Sequence, residues 1–288
     1  MSGLAREVAG IRFANPVLLA SGTAGYGREL LGVADLSCLG GLVTKAVSLA
    51  PRAGNAAPRV AEFHGGMLNS IGLANPGADQ VARDELPWLL ANVRGPQVLV
   101  NVVGFTIEEY AEVIARLESV SGHAGYELNL SCPNTSAGGV EFGADPDSVR
   151  AVVSRCRAAT TRPLFAKLSP ALPDIPAIAA VAHDAGADGL TLVNTMPGFL
   201  FDGGAPRLGN GFGGVSGPAL LPTGVLAVKR TAARLPGVPI IGVGGIRSAA
   251  DVRDYLRAGA TLVAIGTAGL ADPRCPERIV RALEQHGG

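Results

Sequence analysis

Short apolar and β-branched runs recur along the chain at residues 16–20, 41–44, 97–102, 126–130, 164–168, 190–193, 239–243 and 262–265. They are nearly continuous in apolarity instead of alternating, which is what a parallel strand covered on both faces requires. Between them the period changes to that of amphipathic helices, over residues 28–36, 79–93, 107–120, 147–158, 175–185, 223–234, 249–258 and 276–285. Eight strands alternating with eight helices predict an α/β fold closed into a TIM (β/α)8 barrel. An open doubly wound sheet is the alternative, but it does not usually need eight regular units. Residues 48–68, rich in Pro, Gly and Arg, and residues 196–222, with eight glycines, are too long for plain βα turns. They are expected as insertions over the C-terminal mouth. No low-complexity linker divides the chain, so residues 1–288 are read as one domain.

Composition narrows the partners. The 288 residues suit one barrel, 48% hydrophobic against 17% charged residues describes a well-buried core, and 24 acidic residues balance 24 basic ones. A neutral chain has no electrostatic footprint for nucleic acid or an anionic membrane. No apolar run approaches the ~20 residues of a membrane span, and the first residues lack a signal-peptide core, so a cytoplasmic location is expected. Cys38, Cys132, Cys156 and Cys275 are widely spaced without a CxxC pattern, and His64, His123, His183 and His286 show no HxxxH or HExxH arrangement. Disulfides and a metal mechanism are not expected.

Barrel chemistry gathers at the C-terminal ends of the strands. Here those ends carry Ser21-Gly22, Lys45, Asn101, Asn129 with Cys132, Lys167, Asn194-Thr195, Gly244-Gly245 and Gly266-Thr267. The densest stretch is Asn129-Leu130-Ser131-Cys132-Pro133-Asn134, where a thiol sits beside amides that can hold a planar, amide-rich ring while a proton is removed. The plain alternative is a structural thiol at a strand end. Lysine usage speaks for a site: Lys45, Lys167 and Lys229 are the only three lysines, and two of them end predicted strands. A compact ammonium rather than a guanidinium is wanted there. Lys229 lies on a predicted helix and reads as an exposed residue. The glycines after the seventh and eighth strands, Gly244-Gly245 and Gly266 with Thr267, read as a phosphate site made of backbone N–H groups. A ligand with a phosphate at one side and a reactive ring near lysines, amides and a thiol is laid out like flavin mononucleotide.

The chain resembles the class I dihydroorotate dehydrogenases over essentially its whole length. The likeness is carried by Asn15-Pro16 with Ala20-Ser21-Gly22, by Val43-Thr44-Lys45-Ala46, and by Pro58-Arg59-Val60. It continues through Met67-Leu68-Asn69-Ser70-Ile71-Gly72-Leu73 and Glu127-Leu128-Asn129-Leu130-Ser131-Cys132-Pro133-Asn134. Val193-Asn194-Thr195, Gly213-Gly214-Val215-Ser216-Gly217-Pro218 and Ile241-Gly242-Val243-Gly244-Gly245-Ile246 complete it. Through Ala24-Gly25-Tyr26-Gly27 and Gly138-Gly139-Val140-Glu141-Phe142-Gly143 it is most similar to the catalytic subunit of the NAD-linked, two-subunit class.

That resemblance implies oxidation of dihydroorotate to orotate in the de novo pyrimidine (UMP) pathway, with FMN as hydride acceptor. It implies Cys132 as the general base, and a substrate pocket of Lys45, Asn69, Ser70, Ile71, Gly72, Leu73, Asn129, Asn134, Asn194 and Thr195. The flavin would be held by Ser21, Lys45, Ala46, Asn101, Asn129, Lys167, Val193 and Gly217, with Gly244, Gly245, Gly266 and Thr267 on its phosphate. Lys167 would stabilise the reduced ring at its edge. The chain has neither a GxGxxG unit after a strand nor clustered cysteines, so a partner subunit carrying FAD and a 2Fe–2S cluster is implied, on a homodimer core of a heterotetramer. Two readings stay open beside this one. The single-subunit, fumarate-linked class is the nearer, and a Schiff-base aldolase using Lys167 is the more distant. The membrane-associated, quinone-linked class fits less well, because it carries serine where this chain has Cys132.

Overall fold

The structure, a computed structural model, describes residues 3–131, 133–134 and 140–285. Eight parallel strands close into a barrel: β1 (Val17–Leu19), β2 (Gly41–Val43), β3 (Gln97–Val102), β4 (Gly125–Asn129), β5 (Leu164–Leu168), β6 (Gly189–Leu192), β7 (Ile240–Val243) and β8 (Leu262–Ile265). Each pairs with its neighbour in sequence, and β8 returns to β1. The predicted TIM barrel is the observed one, with strand bounds within a residue or two of the expected runs.

Strand alternation divides the core in two. Leu18, Val43, Leu99, Phe165, Ile241, Leu262 and Ala264 pack inside the barrel, whereas Val17, Leu42, Val100, Leu128, Ala166, Leu190 and Val263 face the helices. An N-terminal hairpin, Arg6–Val8 paired with Ile11–Phe13, adds Val8, Ile11 and Phe13 to the inner cluster. Gln97, the first residue of β3, donates to the Arg12 carbonyl at 3.1 Å, so the hairpin closes the end opposite the mouth.

The outer ring contains α1 (Leu86–Asn92), α2 (Ile107–Leu117), α3 (Pro146–Ala159), α4 (Ile175–Asp184), α5 (Leu221–Arg234), α6 (Ala249–Ala258), α7 (Thr267–Ala271) and α8 (Cys275–Gln285). Their starts follow the capping rule: Thr106, Asp145, Asp174 and Ser248 each accept a backbone N–H from the first turn that follows. The helix expected over residues 28–36 is not formed. It is replaced by 3₁₀ turns at Arg28–Leu30 and Leu36–Cys38, because Gly32 between them adopts φ 80°, outside the helical region. Residues 78–92 run as one helical rod, but a π-helical segment, Val81–Glu85, precedes α1. The short α7 and the N-terminal hairpin were not predicted.

The two insertions meet in one antiparallel sheet, in the order Met196–Phe199, Phe212–Ser216, Gly66–Asn69, Val60–Phe63. They leave the C-terminal ends of β2 and β6, which places this sheet at the mouth as expected. The pairing is close: a Cβ on Gly213 would come within 2.3 Å of the Asn69 carbonyl oxygen. Only glycine lets the two strands approach this far.

Candidate functional site

In-register pairing places Asn101 (β3) beside Glu127 (β4), Lys167 (β5) beside Thr191 (β6), and Thr191 beside Ile241 of the inner cluster. Neighbours in register share a face, so these four polar residues line the barrel interior below the mouth. Glu127 is 1% exposed and Lys167 6%. One Glu127 carboxylate oxygen accepts the Asn101 Nδ2 at 2.6 Å and lies 3.4 Å from the Lys167 Nζ. An ionised carboxylate only accepts, so it fixes which end of the Asn101 amide faces it. The Asn101 Oδ1 and the Thr191 Oγ1 are buried without a hydrogen-bond partner among the described residues. Buried polar atoms in a native core are normally satisfied, and two orphans beside a buried ion pair mark a place for a polar ligand.

Above this layer lies a line of amides. Asn129 ends β4, and Tyr110 of α2 holds its carbonyl with a 2.6 Å hydrogen bond. The Asn129 Oδ1 accepts the Asn194 Nδ2 at 3.1 Å, and the Asn194 Oδ1 accepts the Thr195 N–H at 2.9 Å. The Leu192–Val193 peptide before them is cis, and the Val193 N–H bonds the Val243 carbonyl of β7 at 3.0 Å. From the mouth sheet, the Asn69 Nδ2 bonds the Gly214 carbonyl at 3.1 Å, and a Cβ on Gly214 would strike the Thr195 hydroxyl. Asn69, Thr195, Asn194 and Asn129 thus belong to one connected wall.

The segment after Asn69 is held from behind. Asn55 donates to the Ser70 hydroxyl at 2.8 Å, its N–H bonds the Ile71 carbonyl at 3.1 Å, and Asn75 donates to the Leu73 carbonyl at 2.7 Å. Gly72 and Leu73 both have positive φ, 71° and 57°, and Leu73 packs on Ala46 and Val103. Ala46 lies next to Lys45, which is half-buried after β2, its backbone N–H bonded to the Gly25 carbonyl at 2.9 Å. The Thr44 hydroxyl ties this turn to β3 by accepting the Asn101 N–H at 3.2 Å.

On the other side of the mouth, Gly244 and Gly245 follow β7 with φ of 124° and 74°. The Tyr255 hydroxyl of α6 lies 2.9 Å from the Val243 carbonyl and 2.8 Å from that of Gly244, so it steadies this turn. Gly266 opens α7, and the Thr267 hydroxyl reaches the Ser216 hydroxyl at 2.8 Å, next to Gly217 with φ 101°. Ser21 is half-buried after β1, whose Ala20 N–H bonds the Ile265 carbonyl at 2.9 Å. The expected residues at the ends of β1, β7 and β8 therefore share one side of the mouth. Lys229 lies exposed on α5, away from the strand ends.

Cys132 lies outside the described residues, and of Asn134 only the backbone is described, in the short strand Pro133–Asn134. The three described cysteines are poor bases: burial pushes the Cys38 thiol up to about 11 and the Cys156 thiol up to about 12, and raises that of Cys275. Glu127, Thr191, Ser216 and Tyr255 are not among the site residues expected from the sequence. Glu127 carried a usable signal, being a lone acid inside an apolar strand at the parity of the barrel interior.

A (β/α)8 barrel with polar strand ends gathered under a covering sheet defines a barrel enzyme with its site at the C-terminal mouth. The family model "Dihydroorotate dehydrogenase" matches residues 3–286. The chain is 47% identical over 281 residues to the "Dihydroorotate dehydrogenase B (NAD(+)), catalytic subunit" of Citrifermentans bemidjiense, covering 97% of this chain and 91% of that protein. Proteins of the same name from Pelobacter propionicus and Desulforudis audaxviator are each 46% identical, over 287 residues (98% and 93% of the two chains) and 281 residues (97% and 91%). The chain belongs to the dihydroorotate dehydrogenase family, a family of oxidoreductases that implies a flavin cofactor.

Proposed function

We propose that the chain, as one barrel domain, oxidises dihydroorotate to orotate in pyrimidine synthesis with one FMN, and that its electrons reach NAD through a partner subunit. The observation that carries this reading is the connected mouth: the buried Asn101–Glu127–Lys167 layer lies under the amide line Asn129–Asn194–Thr195. The residues present fit a flavin. Asn101 Oδ1 and Thr191 Oγ1 are orphaned acceptors for ring N–H or hydroxyl groups. The left-handed turn at Gly244-Gly245 presents backbone without side chains to a phosphate. In this reading Ser21, Lys45, Ala46, Asn101, Asn129, Lys167, Val193 and Gly217 hold the ring and ribityl chain, and Gly244, Gly245, Gly266 and Thr267 hold the phosphate. Bound FMN would supply the acceptor for a hydride from C6 of the substrate.

The chain's own residues then do the rest. Asn69, Asn129, Asn134, Asn194 and Thr195, with the backbone of Ser70 to Leu73, orient the pyrimidine ring, because amides offer both donors and acceptors to match it. Lys45 supplies a cation between the two ligands. Cys132 takes the C5 proton, which needs its thiol brought down from the ordinary value of about 8.5 toward working pH. Cys38 precedes β2, Cys156 lies on α3 and Cys275 on α8, none at the C-terminal end of a strand, which supports giving that role to Cys132.

An aldolase reading needs a lysine free to attack a carbonyl, and the Lys167 Nζ is instead engaged by the Glu127 carboxylate at 3.4 Å. The "catalytic subunit" in the relatives' names supports a second subunit; in this reading that subunit carries FAD and a 2Fe–2S cluster and joins a dimer of this chain. Among the described residues no helix is long and apolar enough to cross a membrane; a cytoplasmic location is part of this reading. The test is the visible spectrum of the purified chain under anaerobic conditions. A flavin spectrum that bleaches on adding dihydroorotate is expected. A colourless protein that borohydride links to a carbonyl substrate would replace this reading with the aldolase one.

A further inference from the structure

Glu127 holds no ligand and moves no proton in the mechanism above, yet its carboxylate is 1% exposed inside the barrel. A buried charge is costly unless it is paired and hydrogen-bonded, and this one is both, through Lys167 and Asn101. Its two partners are the residues that the flavin reading needs most at that depth. A lysine on a four-carbon stem would otherwise swing toward water, and an amide could present either end to a ligand. The carboxylate removes both freedoms: it gives the ammonium a fixed counter-charge, and it takes the Asn101 nitrogen so that Oδ1 remains free to accept. The register makes this possible, because Glu127 stands level with Asn101 on one side and with Phe165, one inward position below Lys167, on the other. The Lys167 ammonium therefore reaches the acid from the next inward position of β5, which sets where its charge lies.

We propose that Glu127 is the positioning residue of the flavin site, acting through Lys167 and Asn101 rather than by touching the cofactor. The proposal rests on the flavin reading of the mouth. Substituting Glu127→Gln keeps an acceptor for Asn101 but deletes the counter-charge, so it isolates the action on Lys167. In the full-length apoprotein, Glu127→Gln is expected to weaken FMN binding by roughly tenfold, within the range of coupling between residues in contact. In a Lys167→Met background the sign reverses, because there Glu127 is itself the unpaired charge. Adding Glu127→Gln to that variant should restore FMN affinity by about threefold or more. A residue that only fills space would cost affinity in both backgrounds.

FMN binding would be followed by quenching of flavin fluorescence, and urea unfolding of the same four apoproteins would show the same reversal in stability. The second measurement keeps the cycle readable where Lys167→Met binds FMN too weakly. Equal losses in both backgrounds, by both measurements, would overturn the positioning role while leaving the flavin reading intact. A wild-type chain that binds no FMN would instead remove the flavin reading, and this proposal with it.

Discussion

A thiol at position 132 and an imidazole at position 123 illustrate two ways in which one side chain governs this protein. Cys132 is proposed as the base, and replacing it by alanine should leave FMN bound while flavin reduction by dihydroorotate falls by ~10²–10⁴, the usual worth of a positioned base. Cys132→Ser should keep a small activity that rises with pH, since a hydroxyl gives up its proton far less readily. Stopped-flow flavin bleaching measures both, and near wild-type rates in the alanine variant would remove Cys132 from the role. His123, at the opposite end of β4, is 2% exposed and packs edge-on against Tyr126 at 4.9 Å. Burial, and then the nearby Arg162 guanidinium, lower its pKa from 6.5 to about 4. The unfolded chain therefore takes up that proton first, so the stability from neutral His123 is complete above about 6.5 and is lost as pH falls toward about 4. Between pH 7 and pH 5 this amounts to at most ~2 kcal/mol, and His123→Phe should flatten that part of the urea-unfolding profile. An unchanged slope would mean that other groups carry the acid sensitivity. Both residues were visible as types in the sequence, but only the packing around His123 gives its titration a direction.

Among the elements, the strands were the most legible because parallel barrel strands must be apolar on both faces, and such runs stand out against the helical period. The segment over residues 28–36 misled for a local reason. Its helical spacing of leucines is real, but one left-handed glycine outweighs it. The insertions over the mouth were legible from their length, but not the sheet they form, since its strands lie more than a hundred residues apart and pair only when the closed barrel sets the ends of β2 and β6 around one mouth. The contact between α6 and β7 yields a prediction at this scale. Tyr255 crosses from the helix to the strand end, where its hydroxyl serves the Val243 and Gly244 carbonyls. Tyr255→Phe should cost about 1 kcal/mol of stability, as one lost buried hydrogen bond does. It should also weaken FMN binding several-fold by loosening the Gly244-Gly245 turn, with the effect seen in flavin affinity and not in the bleaching rate of the loaded protein. Unchanged FMN affinity would show that the turn is held by its own backbone.

At the scale of the whole molecule, the proposed electron route leads from this chain to a partner subunit. The expected outcome is that the purified chain bleaches with dihydroorotate and turns over with an artificial acceptor, but reduces NAD at a full rate only when an electron-transfer subunit is added. Co-purification from the native cell tests the association. Full-rate NAD reduction by the chain alone, or efficient use of fumarate without a partner, would return the chain to the single-subunit reading. What the sequence by itself determined rests on local pattern: the strand periods, the helix periods outside residues 28–36, the barrel they imply, and the amide, lysine and glycine positions at strand ends. These are legible because each is a property of a few consecutive residues. The tertiary structure alone decided that Asn101, Glu127 and Lys167 are one buried cluster, that Thr195 meets the mouth sheet through Gly214, and that Tyr255 steadies the turn after β7. The reason is physical: inter-strand register and the closure of the barrel set which side chains share a face, and no local stretch of chain encodes either one.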